Sequence, residues 1–156
     1  FDFVASGIDY ASAWYGQAKM IEAAGKYSMH INTEEWLHLN FLLKDVSTTG
    51  TVVVIDDENP ALGRARETLH YMQVMKRPLM VVTDMENPEV EDGHCVLMPK
   101  TDFDITSPLL YFIPLALLAG YIGIMSGETY SRSFRDNWKF AEDASAIWKS
   151  KIEIIK

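Results

Sequence analysis

Short, nearly continuous apolar runs alternate along the chain with longer stretches whose apolar residues recur at helical spacing. Phe3 to Ser6, Tyr27 to Ile31, Thr51 to Ile55, Leu79 to Thr83 and Cys95 to Met98 are the short runs. Thr51 to Ile55 is unbroken and β-branched, the pattern of a parallel strand covered on both faces. Between the runs the spacing predicts helices from about Asp9 to Ala24, closed by Gly25 as a C-cap, and from a capping box at Asn32 and Glu35 to about Leu43. Further helices are expected from Pro60 to about Met75, over Pro108 to Met125, and over Lys139 to Lys156 with Phe140, Ala144, Ile147 and Trp148 inward. Strands alternating with helices imply right-handed βαβ units and a parallel sheet with helices on both sides. The expected fold is α/β, a three-layer sandwich around a flavodoxin-like parallel sheet of about five strands.

Two of these helices carry more than scaffold. In the first, Ala11, Trp14, Tyr15, Ala18 and Ile21 share one apolar face, and Glu22 falls inside it, between Tyr15 and Ala18. A carboxylate there is partly desolvated, which raises its pKa and poises it as a general base. The plainer alternative is a Lys19 to Glu22 surface pair at i, i+3, worth about 0.2 to 0.5 kcal/mol. Spacing alone leaves both open. Pro108 to Met125 approaches membrane-spanning length, but Pro114, Gly120 and Gly123 interrupt it and no basic flank anchors it. A helix lying in the core and at a subunit interface is expected instead, and the interface is extended by Trp36, read here as exposed.

Composition narrows the partners. At 156 residues the chain is expected to form one globular domain, and a hydrophobic content of 48% with 12% aromatics excludes disorder. A formal net charge of -8 argues against nucleic acid and anionic membrane surfaces, which need a positive field. One cysteine, Cys95, allows no internal disulfide, so a reducing cytoplasm is expected and the thiol reads as a small buried hydrophobe. His30, His70 and His94 lack metal-ligand spacing, and no dinucleotide, P-loop or Cys-x-x-Cys pattern is present, so neither metal nor cofactor is expected. The sequence opens inside a strand without a methionine, which reads as a piece of a longer chain.

Ala5-Ser6-Gly7, Lys19-x-x-Glu22 and Glu35-x-x-His38 together resemble the second sugar-isomerase (SIS) domain of glucosamine-6-phosphate synthase and of fructosamine-6-phosphate deglycases. The resemblance runs over most of the chain. It implies that residues 1–138 form a SIS domain, the C-terminal one of two, followed by a tail at 139–156. It also implies that Glu22 shuttles a proton between C1 and C2 of an open-chain amino sugar or ketose 6-phosphate. Lys19 would assist the same site, and His38 would open the sugar ring from the neighbouring subunit of a homodimer. Ser6, Gly7 and Glu35 would contact the sugar phosphate. Where the synthase pattern is Gly-Glu-Leu-Lys-His-Gly-Pro, this chain has Glu34-Glu35-Trp36-Leu37-His38-Leu39-Asn40.

The loop after the third strand, Asp56-Asp57-Glu58, would repel a phosphate dianion where a Ser-rich cradle is needed, so the cradle is assigned to an N-terminal SIS domain. A competing reading is a phosphosugar-binding regulatory module without catalysis, since SIS domains also occur in transcription regulators. A third, a receiver domain, places Asp56, Thr83 and Lys100 after the third, fourth and fifth strands, but lacks the paired acids that would hold Mg²⁺.

Overall fold

The computed structural model describes residues 1–90 and 94–128. Five strands form one sheet: β1 (Asp2–Ala5), β2 (Met29–Asn32), β3 (Thr51–Val54), β4 (Leu79–Thr83) and β5 (His94–Leu97). They lie in the order β2-β1-β3-β4-β5, every pairing parallel. Helices α1 (Tyr10–Ala24), α2 (Thr33–His38), α3 (Leu62–Val74) and α4 (Pro108–Met125) cover both faces. The expected three-layer α/β sheet is therefore the one found. The expected terminal helix over Lys139 to Lys156, and everything after Glu128, lie outside the described residues.

Period-2 alternation divides the core. Phe3, Ala5, Val52, Val54 and Val82 point to the side holding α1 and α4. Val4, Val53, Ile55 and Val81 point to the side holding α2 and α3, where Trp36, Leu69 and Met72 complete the packing.

Helix α1 does not use the face its bulky residues mark. Its buried positions are Ser12, Ala13, Gly16, Met20 and Ala24, whereas Trp14 and Ile21 face outward. The reason is distance of approach. A Cβ on Gly16 would lie 2.4 Å from the buried ring of Phe3, so a glycine at that crossing lets the helix lie this close to the sheet, with Met20 filling the core beside it. Gly16→Ala is expected to lower stability by about 1 kcal/mol or more, because overpacking at about 1–3 kcal/mol outweighs the helix propensity gained. Urea denaturation checks it.

Three further expectations change. The second helix ends at His38 rather than near Leu43, and a 3-10 turn at Asn40–Leu42 follows. Trp36 is fully buried, not exposed. Its Nε1 donates to Asp2 Oδ2 at 3.3 Å, and the Arg77 guanidinium stacks 4.9 Å above its ring. Arg77 in turn donates to Asp2 Oδ2 at 3.0 Å, Thr51 Oγ1 at 3.1 Å and the Asn40 carbonyl at 2.7 Å. One buried cation thus ties the starts of β1 and β3 to the 3-10 turn that follows α2. Cys95, on β5 at the edge of the sheet formed by the described residues, is exposed rather than a core filler.

Helix α4 is half of what its composition predicts. Tyr111, Leu115, Ala119 and Gly123 form a buried stripe, and a Cβ on Gly123 would sit 3.0 Å from the Ala23 carbonyl oxygen. Leu109, Leu117, Tyr121, Ile124 and Met125 lie on the exposed side. Among the described residues it is the one helix long and apolar enough to cross a membrane.

Candidate functional site

In an open parallel sheet, ligands bind beyond the carboxyl ends of the strands where the order reverses, here between β1 and β3. The residues that follow those strands are polar and held by one another. Ser6 Oγ hydrogen-bonds the Thr33 hydroxyl and lies 3.2 Å from Asn32 Oδ1, which also caps α2 by accepting from the Glu34 amide at 3.0 Å. Gly7 takes φ +59°, and a Cβ there would approach the Asn59 amide to 3.3 Å. Asp9 is fully buried and accepts from the Asp56 amide at 3.0 Å, Asn59 Nδ2 at 2.8 Å and Ser107 Oγ at 3.3 Å. Asn59 also donates to the Ser6 carbonyl at 2.9 Å. The β1, β3 and α4 ends of the crevice are thus locked together through one carboxylate and one amide.

Acids dominate the remainder. Asp56 Oδ1 accepts from the Glu58 amide at 3.1 Å, while its Oδ2, buried, has no partner. The Asp57 amide donates to Asp84 Oδ1 at 2.8 Å, and the Asp57 side chain pairs with Lys100. Burial first, then the charges of Asp9 and Asp84, push the Asp56 carboxyl up to about 7. Burial likewise raises Asp9. Tyr111, buried and hydrogen-bonded to Asp84, is raised as well. Asp9 and Asp56 therefore behave as a pair that favours one shared proton near neutrality.

Folded Asp56 keeps a proton that the unfolded chain has released above the ordinary carboxylate value of 3.8. Its stabilisation is complete below that value and is lost as pH rises through about 7. The thermal midpoint is expected to fall between pH 5 and pH 8, and Asp56→Asn is expected to flatten that decline. Scanning calorimetry across the range checks both.

The residues singled out from the sequence are dispersed. Ser6 and Gly7 lie in the crevice. Lys19 Nζ and Glu22 Oε2 form an ion pair at 2.6 Å on the outside of α1, with the Glu22 side chain 68% exposed. The desolvated carboxylate expected from the helix pattern is thus a solvent-facing one, because the bulky face of α1 points outward. His38 and Glu35 are exposed on α2, across the sheet from α1. His38 Nε2 lies 3.0 Å from Glu34 Oε1, and Glu34 also pairs with Arg64. Within one chain the structure joins Lys19 to Glu22 and Ser6 to Gly7, and it does not bring either pair to His38 or Glu35. Sequence reasoning missed Asn59, Ser107, Asp84 and Tyr111. Asn59 and Asp84 carried a usable signal, being polar residues just beyond a buried strand.

No family model matches the chain, and a search of characterised proteins by sequence finds no match. Solved structures do match. The C-terminal domain of glucosamine-fructose-6-phosphate aminotransferase from Francisella tularensis superposes with a TM-score of 0.72 at 20% identity, over 82% of this chain and 36% of that one. Tagatose-6-phosphate ketose/aldose isomerase from Escherichia coli gives 0.66 at 13% identity, again over 82% and 36%. The Vibrio vulnificus NanR protein complexed with ManNAc-6P gives 0.58 at 10% identity, over 96% of this chain and 56% of that one. The chain thus spans little more than a third of the first two structures. With its sheet order and its helices on both faces, it has the fold of a SIS domain.

Proposed function

We propose that this chain is the C-terminal SIS domain of a two-SIS phosphosugar isomerase or deglycase, acting on an amino sugar or ketose 6-phosphate by proton transfer between C1 and C2. The observation that carries the reading is the fold likeness to the aminotransferase C-terminal domain over 82% of the chain. Glu22 is the proton carrier, Lys19 its electrostatic partner at 2.6 Å, and His38 the ring-opening group. Because α1 and α2 lie on opposite faces of the sheet, the reaction centre needs a second surface, and a homodimer with His38 supplied by the neighbouring copy meets that need. The outward apolar side of α4, with Leu117, Tyr121, Ile124 and Met125, gives such an assembly an area to bury. The phosphate cradle lies on the N-terminal SIS domain, since Asp56, Asp57 and Glu58 repel a dianion.

Light scattering tests the assembly: a dimer is expected at micromolar concentration, and a strict monomer at high micromolar concentration overturns it. Calorimetry tests the division of labour: this chain alone is expected to bind fructose 6-phosphate no tighter than about the millimolar range. A second reading, a phosphosugar-binding module without catalysis, draws support from the dispersal of Glu22 and His38 and from the likeness to a protein solved with ManNAc-6P.

A further inference from the structure

We propose that Tyr15 is a positioning residue for the proton-transfer pair: its ring, braced by Phe112 of α4, holds the Lys19 ammonium beside Glu22. The inference rests on the reading of Lys19 and Glu22 as that pair, and it names what keeps the two in register. It begins on the outer side of α1. Lys19 Nζ lies 5.9 Å from the centre of the Tyr15 ring and 2.6 Å from Glu22 Oε2. A cation within about 6 Å of an aromatic ring is attracted by the negative charge on the ring's face. The spacings i, i+4 and i, i+3 place ring, ammonium and carboxylate on successive turns of one helix side.

The ring is anchored where the cation is not. Tyr15 is half-buried and packs against the core beneath α1 and α4. Phe112 meets it edge to face, with ring centres 5.4 Å apart and planes at 74°. Lys19 stands at the end of a four-carbon stem with much rotamer freedom to lose. Glu22 alone holds that stem weakly, since its side chain is 68% exposed and an ion pair so placed is screened by water. The ring adds a second, fixed contact to the same ammonium.

A seated ammonium keeps its charge beside Glu22 while that carboxylate takes and returns a proton. The contact therefore acts on the rate of proton transfer rather than on affinity for the sugar phosphate. It also ties the pair to the assembly. Phe112 is 38% exposed on the side of α4 that a second copy would cover, so the same aromatic contact links that surface to Lys19.

The test is a double-substitution cycle, read as turnover of fructose 6-phosphate by the full-length protein and as urea denaturation of this chain. Tyr15→Leu is expected to lower kcat about two- to five-fold with KM unchanged, the worth of an exposed cation–π contact. In the Lys19→Met background it is expected to cost nothing further. Tyr15→Phe, which keeps the ring, should stay near the parent, and Phe112→Leu should give a smaller loss that also vanishes with Lys19→Met. The folding cycle is expected to show Tyr15 and Lys19 coupled by the same two- to five-fold factor. Should Tyr15→Leu fold poorly, Tyr15→Met takes its place. An equal loss in both Lys19 backgrounds means that Tyr15 acts through packing alone and overturns the inference. So does Tyr15→Phe as slow as Tyr15→Leu, a change confined to KM, or an unchanged kcat. Failure of the two readings is separable. Turnover that depends on Glu22 but not on Tyr15 removes this inference alone, whereas turnover indifferent to Glu22→Gln removes the proton-transfer reading, and this one with it, whatever the folding cycle shows.

Discussion

Glu22→Gln in the full-length protein is expected to slow turnover by about 10² to 10⁴ while leaving sugar phosphate binding largely intact, because it keeps size and hydrogen bonding and removes the base. Lys19→Met should slow it less, since it removes only a supporting charge. The structure sharpens this expectation. In the chain alone the pair is a surface ion pair, with Lys19 34% and Glu22 68% exposed, so neither substitution should move stability by more than about 1 kcal/mol. A large catalytic effect without a stability effect is therefore the expected signature. It requires a second surface over the outer face of α1, where Trp14 and Ile21 already stand exposed. Solvent deuterium incorporation at C1 or C2 is the direct readout. Unchanged incorporation in Glu22→Gln would exclude it as proton carrier and favour the non-catalytic module.

Arg77→Met is expected to have the largest effect on stability, about 3–5 kcal/mol by chemical denaturation. The guanidinium of Arg77 is fully buried against Asp2, whose side chain is 4% exposed, and removing it strands that carboxylate in the core. Thr51 Oγ1 and the Asn40 carbonyl lose a donor in the same step. Adding Asp2→Asn should recover part of the loss, because the stranded charge disappears while an oxygen remains for Trp36 Nε1. A double variant no more stable than Arg77→Met would mean that packing, not the unpaired carboxylate, accounts for the damage.

The sheet was legible because its strands are buried on both sides, which leaves continuous apolar runs; β4 and α4 begin and end where the pattern placed them. Which face of α1 packs was not legible from apolar spacing. Trp14 and Ile21 are far larger apolar side chains than Ser12, Ala13 and Gly16, yet close approach to Phe3 turns the small residues inward. Trp36 was misjudged for a similar reason. Its partners, Asp2 and Arg77, are remote in sequence, so nothing near it marked the position as interior. At the crevice, the Asp56-Asp57-Glu58 loop could be read directly. The convergence of Asn59 and Ser107 on Asp9 could not, because it joins three loops that only the finished sheet brings together.

The sheet order also bears on how the chain assembles in time. Phe3 pairs with His30 across α1, and Val52 with Met80 across α3, whereas Phe3 meets Val52 only after a longer loop has closed. Loop-closure entropy grows with that length, and contacts distant in sequence are slow to form. β1-α1-β2 and β3-α3-β4 are therefore natural early units, and the β1 to β3 seam is the late one. The seam carries the crevice. A ligand seated there holds two halves together across the last joint to close, and its occupancy would slow the reopening of that joint by reducing the ligand-free fraction.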